Sequence, residues 1–334
     1  MIQISYWLLV FFLTMISICF GQVQPNSSLL YREYDEQIDQ VVRTVFQDSE
    51  ENFWFGGETG TYMYNGDSLV AIQGVRSAEG SSVTIKDIIE DAHGNIWIGH
   101  TNGLSRIRNG VVKNYYEKDG LLSEDIWCLE SDKHSNIWIG TTQGVSFYDG
   151  NEFHEFFLPE GYIDSTRGVS SRKMVHQIFE DKQGTLWFSS NAGLYSFQND
   201  SLVNESINGI ETHFVNETFE DASGILWIST NNGLYRRTDQ KFVKADLGEF
   251  DVGKGIGSIA QDADGKLWFV INQHHLFVGT NDEFVEFRKT EYNKGPVIFK
   301  IFNDQQDRLW FVGYGGAYRL ENKKFVNVTR KGPW

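Results

Sequence analysis

The chain has 334 residues with a formal net charge of −16, 33 glycines, 4 prolines and 15% aromatic residues. No basic run interrupts the acidity, which argues against nucleic acid and against anionic membrane surfaces, since phosphate binding needs clustered Lys and Arg. Many glycines with few prolines suit a sheet protein with many tight turns.

Residues 6–20, YWLLVFFLTMISICF, form an apolar run that ends at Gly21-Gln22. The run reads as a secretory signal peptide over residues 1–21 with a small residue at its cleavage site. Its fifteen residues fall short of the roughly 20 a membrane span needs, although an uncleaved N-terminal anchor is the alternative. Periplasmic or secreted location is therefore expected, with no membrane insertion after cleavage. Cys128 would then be the one remaining cysteine, which excludes an intrachain disulfide. Residues 22–40 are a polar lead-in with a candidate strand at Leu29–Tyr34.

From residue 41 to residue 334 one pattern governs the chain. A tryptophan followed by Phe or Ile recurs at Trp54, Trp97, Trp138, Trp187, Trp227, Trp268 and Trp310. Six residues before each stands Asp48, Asp91, Asp132, Asp181, Asp221, Asp262 or Asp304. Six residues after stands Gly60, Gly103, Gly144, Gly193, Gly233, His274 or Gly316. Each copy reads as inner strand, Asp-turn, Trp strand, Gly-turn, third strand and outer strand. A period near forty residues with four short strands per unit predicts a β-propeller: all-β, seven blades, four antiparallel strands per blade. The tryptophans are expected to pack between blades. The outer strand of the last copy is expected at Lys324–Val328. Because Leu29–Tyr34 looks like an outer strand too, the sequence leaves open how the ring closes.

Copies such as EDAHGNIWIGHTNGL (residues 90–104) resemble the two-component regulator propeller repeat, over roughly residues 40–330 and most fully around Trp97, Trp138 and Trp227. That resemblance implies an extracytoplasmic sensor propeller that feeds two-component signalling. The chain shows no kinase segment, so a membrane sensor kinase or another signalling protein is the implied partner, unless the chain belongs to a longer sensor.

Comparing the copies with one another separates frame from function. Five residues before each aspartate stand Arg43, Lys86, Trp127, His176, Asn216, Gly257 and Phe299; one residue later stand Thr44, Asp87, Cys128, Gln177, Glu217, Ser258 and Lys300. Flanking positions stay apolar. Such variation on a fixed frame is what a ligand-specific site at the channel mouth would show. Candidate ligand-binding residues are Arg43, Lys86, Trp127, His176 and Asn216, with Asn102 and Gln143 from the Gly-turns. Tyr162 and Arg167 join them from the longest connection, residues 149–173. Amides, charges and aromatics together suit a small polar ligand such as an oligosaccharide. A water-filled channel that tolerates any polar residue is the alternative.

No phosphate loop, nucleophile elbow, HExxH or CxxC is present, so no cofactor, metal or catalytic residue is expected. The Asp-x-x-Gly turns lack the alternating carboxylates of calcium loops. His274-His275 would point to opposite faces of a strand, against a shared metal. A lyase or lactonase propeller similar to streptogramin lyase, with His176 and Glu217 as its candidate groups, is the runner-up. A protein–protein interaction scaffold is the other alternative.

Overall fold

A computed structural model describes residues 36–163, 171–210, 214–253, 255–280, 283–289 and 296–334. The signal peptide, the candidate strand Leu29–Tyr34 and Arg167 fall outside the described residues. Seven four-stranded antiparallel sheets follow one another, each built from one contiguous stretch: 42–71, 85–115, 126–156, 175–204, 215–244, 256–287 and 297–328. These are the blades. Each inner strand touches the next, and the seventh touches the first, so the ring is closed. Among the described residues there is no α-helix, only two single turns of 3-10 helix at Glu117–Asp119 and Glu205–Asn208.

Why the blades hold together follows from their middle strands. Every residue of Ile96–His100 is buried, and so is every residue of Ile137–Thr141. Seven apolar clusters fill the seven seams between neighbours, each joining the tryptophan of one blade to the inner strand of the next. Small residues let the inner strands close up. A Cβ on Gly99 would stand 2.6 Å from Ile126 Cγ2 of the following blade, closer than any side chain tolerates.

The Asp-turn does more than reverse the chain. In all seven blades the aspartate Oδ2 accepts the indole N–H of the tryptophan six residues on, at 2.7–2.9 Å. Asp91 Oδ1 also accepts the backbone N–H groups of His93 and Asn95. The third residue after the aspartate takes positive φ whether it is Gly94, Glu51, Ser135 or Asp307. The backbone path is thus set by the frame, and glycine only makes it cheaper.

Among the described residues, ring closure uses no exchanged strand. Lys324–Val328 is the outer strand of the seventh blade, as its sequence suggests. The seam between blades 7 and 1 is tied instead by the segment before blade 1. Gly315 N donates to Gln40 O at 2.9 Å, and Arg330 donates to the carbonyls of Gln37 and Ile38. Trp334 stacks on Tyr64 of the first blade at 4.1 Å.

Two substitutions separate core from rim. Trp97→Ala should cost about 3–5 kcal/mol, as truncation of a large core aromatic does. Trp127→Ala, at a 36% exposed position, should cost about 0.5 kcal/mol. Chemical denaturation of the two variants checks this.

Candidate functional site

The variable positions have a structural cause. Each inner strand carries a register shift where it pairs with its Trp strand, between Val42 and Thr44, Ile85 and Asp87, and at the matching point of the other five. Arg43, Lys86, Trp127, His176, Asn216 and Phe299 are the extra residues of these bulges; blade 6 skips both Gly257 and Ser258. A bulge residue has no cross-strand partner and re-aims its side chain. It sits at the Gly-turn end of the blade, beside the turn that follows the Trp strand. Its identity is therefore free of the pairing that constrains its neighbours.

Three bulge residues find a partner fifteen positions later, in their own Gly-turn. Arg43 Nη2 donates to Glu58 Oε1 at 2.7 Å. His176 Nε2 and Asn191 Oδ1 stand 2.7 Å apart, and Asn191 donates on to Ser171 O. Phe299 meets Tyr314 edge-on at 5.0 Å. Lys86 and Trp127 instead pair with each other across neighbouring blades, with the ammonium 4.0 Å above the indole. Arg43 lies over Phe299 at 5.2 Å.

The structure thus brings Arg43, Lys86 and Trp127 together and adds Phe299 and Tyr314, forming an arc over blades 7, 1, 2 and 3. Tyr314 is 51% exposed. Burial, and then the charge of Arg43, push the Lys86 ammonium below its usual range, against the pull of Asp125 and Glu58. Two cations and two carboxylates balance there.

His176 and Asn216 are placed differently. Burial holds His176 below the ordinary histidine range, so it is neutral at neutral pH and bonded within its own blade. Asn216 donates to Ile256 O of the next blade at 2.8 Å. Asn102 is exposed and accepts from Thr101. Gln143 lines a polar cavity of about 370 Å³ between blades 3 and 4, with Asp125, Glu160, Arg172 and Lys173. Asp125 therefore borders both this cavity and the arc. Tyr162 is 59% exposed on the long connection.

The next ring of varied residues, from Thr44 to Lys300, belongs to the frame. Asp87, Gln177, Glu217 and Ser258 each accept a backbone N–H of the following inner strand, from Leu129, Thr218, Ile259 and Ile301. Lys300 reaches across to Thr44 Oγ1 and Asp87 Oδ1. Burial pushes Glu217 up to about 7, while the Ile259 amide and Lys300 oppose the rise. Glu130 stands where other blades put Phe, Ile or Ala, and burial pushes it up to about 8, helped by Asp87 and Glu180. His176 and Glu217 have separate partners, so no acid–base pair forms between them. His275 Nδ1 pairs with Glu286 at 2.6 Å.

With this geometry in view, three segments, residues 79–102, 120–143 and 169–192, match the family model described as "Two component regulator propeller". The chain carries two-component regulator propeller repeats. The matched copies hold Trp97, Trp138 and Trp187, so the third is the Trp187 copy and not the Trp227 copy. Each match runs through the bulge, the Asp-turn and the Trp strand. The fold resembles extracellular domains of putative hybrid two-component systems. The extracellular domain of BT4673 from B. thetaiotaomicron superposes with a TM-score of 0.66 at 19% identity, over 85% of this chain and 38% of that one. The extracellular domain of BT3049 from the same organism gives 0.58 at 23%, over 70% and 33%. The chain thus spans under two fifths of the extracellular domains it matches. Virginiamycin B lyase from Staphylococcus aureus gives 0.66 at 14%, over 83% and 93%. At these identities the likeness is one of fold. No curated protein matches the chain.

The buried acids set a pH dependence. Glu130 and Glu217 have folded-state pKa values above the unfolded carboxyl value, so the folded state holds protons that the unfolded chain has lost. Their contribution is full below the unfolded pKa and disappears as pH rises through the folded values, about 7 and about 8. The unfolding midpoint should therefore fall from about pH 5 to about pH 8.5. Glu130→Gln, which keeps an acceptor for the Glu180 N–H, should flatten that slope. Thermal unfolding across the pH range checks both.

Proposed function

We propose that the propeller is an extracytoplasmic ligand-binding sensor module whose ligand sits at the Gly-turn mouth, on the arc of Tyr314, Phe299, Arg43, Lys86 and Trp127. One observation carries this reading. The blades repeat their packing residues, yet at the bulges, where pairing makes no demand, they gather two cations and two aromatics into one patch, which Tyr314 joins from the end of its Trp strand. Lys86 supports it further: its ammonium lies on Trp127 and has no hydrogen-bond acceptor among the described residues, leaving donors for a ligand oxygen.

The charge balance bears on ligand class. Arg43 already holds Glu58, and Asp125 faces Lys86, so a charged ligand gains little net ion pairing. A neutral, hydroxylated molecule with one apolar face can both donate to the carboxylates and lie on the aromatic rings. A sugar or short oligosaccharide has that chemistry. The polar cavity bearing Gln143 would extend the site toward blade 4, and Asn102 and the connection holding Tyr162 and Arg167 would border it. His176 and Asn216 would shape the rim through their frame bonds. Signalling would pass to a membrane sensor kinase or related partner, and residues 1–21 would be removed on export.

Titration calorimetry against a panel of neutral and acidic oligosaccharides tests the reading. A neutral glycan should bind, and Lys86→Ala and Trp127→Ala should each weaken it at least about tenfold, the equivalent of about 1.4 kcal/mol, with the unfolding midpoint nearly unchanged. Asp91→Ala should lower the midpoint and leave affinity intact. If the arc variants bind normally while Asp-turn variants lose binding, the ligand lies on the other face.

A further inference from the structure

On the Asp-turn side the Trp ring of each blade lies in the seam with the next, and in three of the seven seams an arginine covers it. Arg106 lies over Trp97 at 5.5 Å, Arg237 of blade 5 over Trp187 of blade 4 at 5.1 Å, and Arg319 over Trp310 at 5.5 Å. The arginine comes from one of two places. It is either the cross-strand neighbour of the tryptophan, as Arg106 and Arg319 are, or the position after that neighbour in the next blade, as Arg237 is. A planar guanidinium on an indole face is a favourable fit.

In three other seams a phenylalanine packs on the indole instead, Phe147 and Phe156 on Trp138, Phe284 on Trp227 and Phe287 on Trp268. Among the described residues Trp54, at the seam between blades 1 and 2, has neither an arginine nor an aromatic ring on it. Met63 is the cross-strand neighbour of Trp54, and Ile107 stands at the position Arg237 holds in blade 5. An open cavity of about 700 Å³ remains there, floored by Trp54, Met63, Ile96 and Ile107. Its lining contains Asp48, Glu50 and Glu90 but no Lys or Arg. Glu50 is exposed and has no ion-pair partner among the described residues.

We propose that this groove is a docking site for an extended segment of a partner protein that presents an arginine, whose guanidinium takes the place on Trp54 that the chain's own arginines take elsewhere. The acidic rim complements that charge, and the chain's net charge of −16 disfavours a second copy as occupant. The site is separate from the ligand arc, which lies at the opposite end of the blades.

The test uses a surface-immobilised pool of acetylated hexapeptides with arginine fixed at the third position, against the same pool carrying neutral, isosteric citrulline. The whole protein should be retained at least about tenfold more on the arginine pool. Ile107→Arg builds the missing side chain into the groove. It should reduce retention to the citrulline level with the unfolding midpoint equal or higher. Met63→Arg, which copies Arg106 and Arg319, should do the same from the other wall. Equal retention on the two pools overturns the proposal, as does an Ile107→Arg protein that still prefers arginine. A fall of several degrees in midpoint for both variants also overturns it, because the groove would then not accept a guanidinium.

Discussion

Everything in this propeller depends on a carboxylate being buried beside an indole. Asp91 is almost wholly removed from water, which by itself would raise its pKa, yet bonds from Trp97, Asn95 and the backbone hold it below the ordinary value. Removing a charge from water is tolerable only when its lone pairs are filled. Here the Asp-turn supplies the backbone donors and the following strand supplies the indole. The bond therefore locks turn, strand register and seam packing in one step. Because the tryptophan also fills the seam to the next blade, a local bond becomes a bond between blades, seven times over.

Circumferential staples finish what the tryptophans begin. On the Asp-turn face, Glu90 accepts Ser49 N, Glu180 accepts Lys133 N, Glu220 accepts Lys182 N and Gln261 accepts Ala222 N, each linking a blade to the one before it. Gln47 accepts Gln305 N in the same way and so carries the series across the junction of blades 7 and 1. Nearer the axis, Asp87, Gln177, Glu217 and Ser258 act in the other direction. Chemical variety at these positions reflects what each can accept. It is frame in spite of its variety. The bulge one residue earlier is where variation escapes the frame.

That distinction marks the limit of what could be read from the chain alone. The blades were legible because Asp, Trp and Gly recur at fixed offsets that only one sheet geometry satisfies. The Lys324–Val328 strand was legible for the same reason. The aspartate–indole bond was implicit in the constant six-residue spacing, although a turn explains an aspartate so well that no second role is called for. Phe299 stands in the variable column beside Arg43, but a phenylalanine on an inner strand reads as packing and carries no signal of a site. Tyr314 carried a subtler signal. It lies fifteen residues after Phe299, as Glu58 lies after Arg43 and Asn191 after His176, and each of those pairs is in contact. Offsets of fifteen across a bulge have no counterpart in simple strand periodicity, so the pairing emerges only when the register shift is known. The demands on His176 and Asn216 were likewise invisible, since their partners, Asn191 and the Ile256 carbonyl, are chosen by the fold.

The position of the arc on the ring has a mechanical consequence. Phe299 and Tyr314 belong to the last blade, Arg43 to the first, and no strand is exchanged between them. Their junction instead rests on residues 37–41, which pair with Tyr314, Gly315 and Thr329. Tyr314 therefore faces the arc through its ring and the junction through its backbone, bridged to Val41. Arg330 grips the same short segment from the far end of the seventh blade. A ligand lying across Phe299 and Arg43 would add contacts spanning the one seam that lacks continuous chain within the ring. Binding energy would then favour the closed junction over any looser arrangement of the two blades, by as much as the ligand distinguishes them. A mouth placed over blades 4 and 5 would have no such connection, because the seams there are joined by the chain itself.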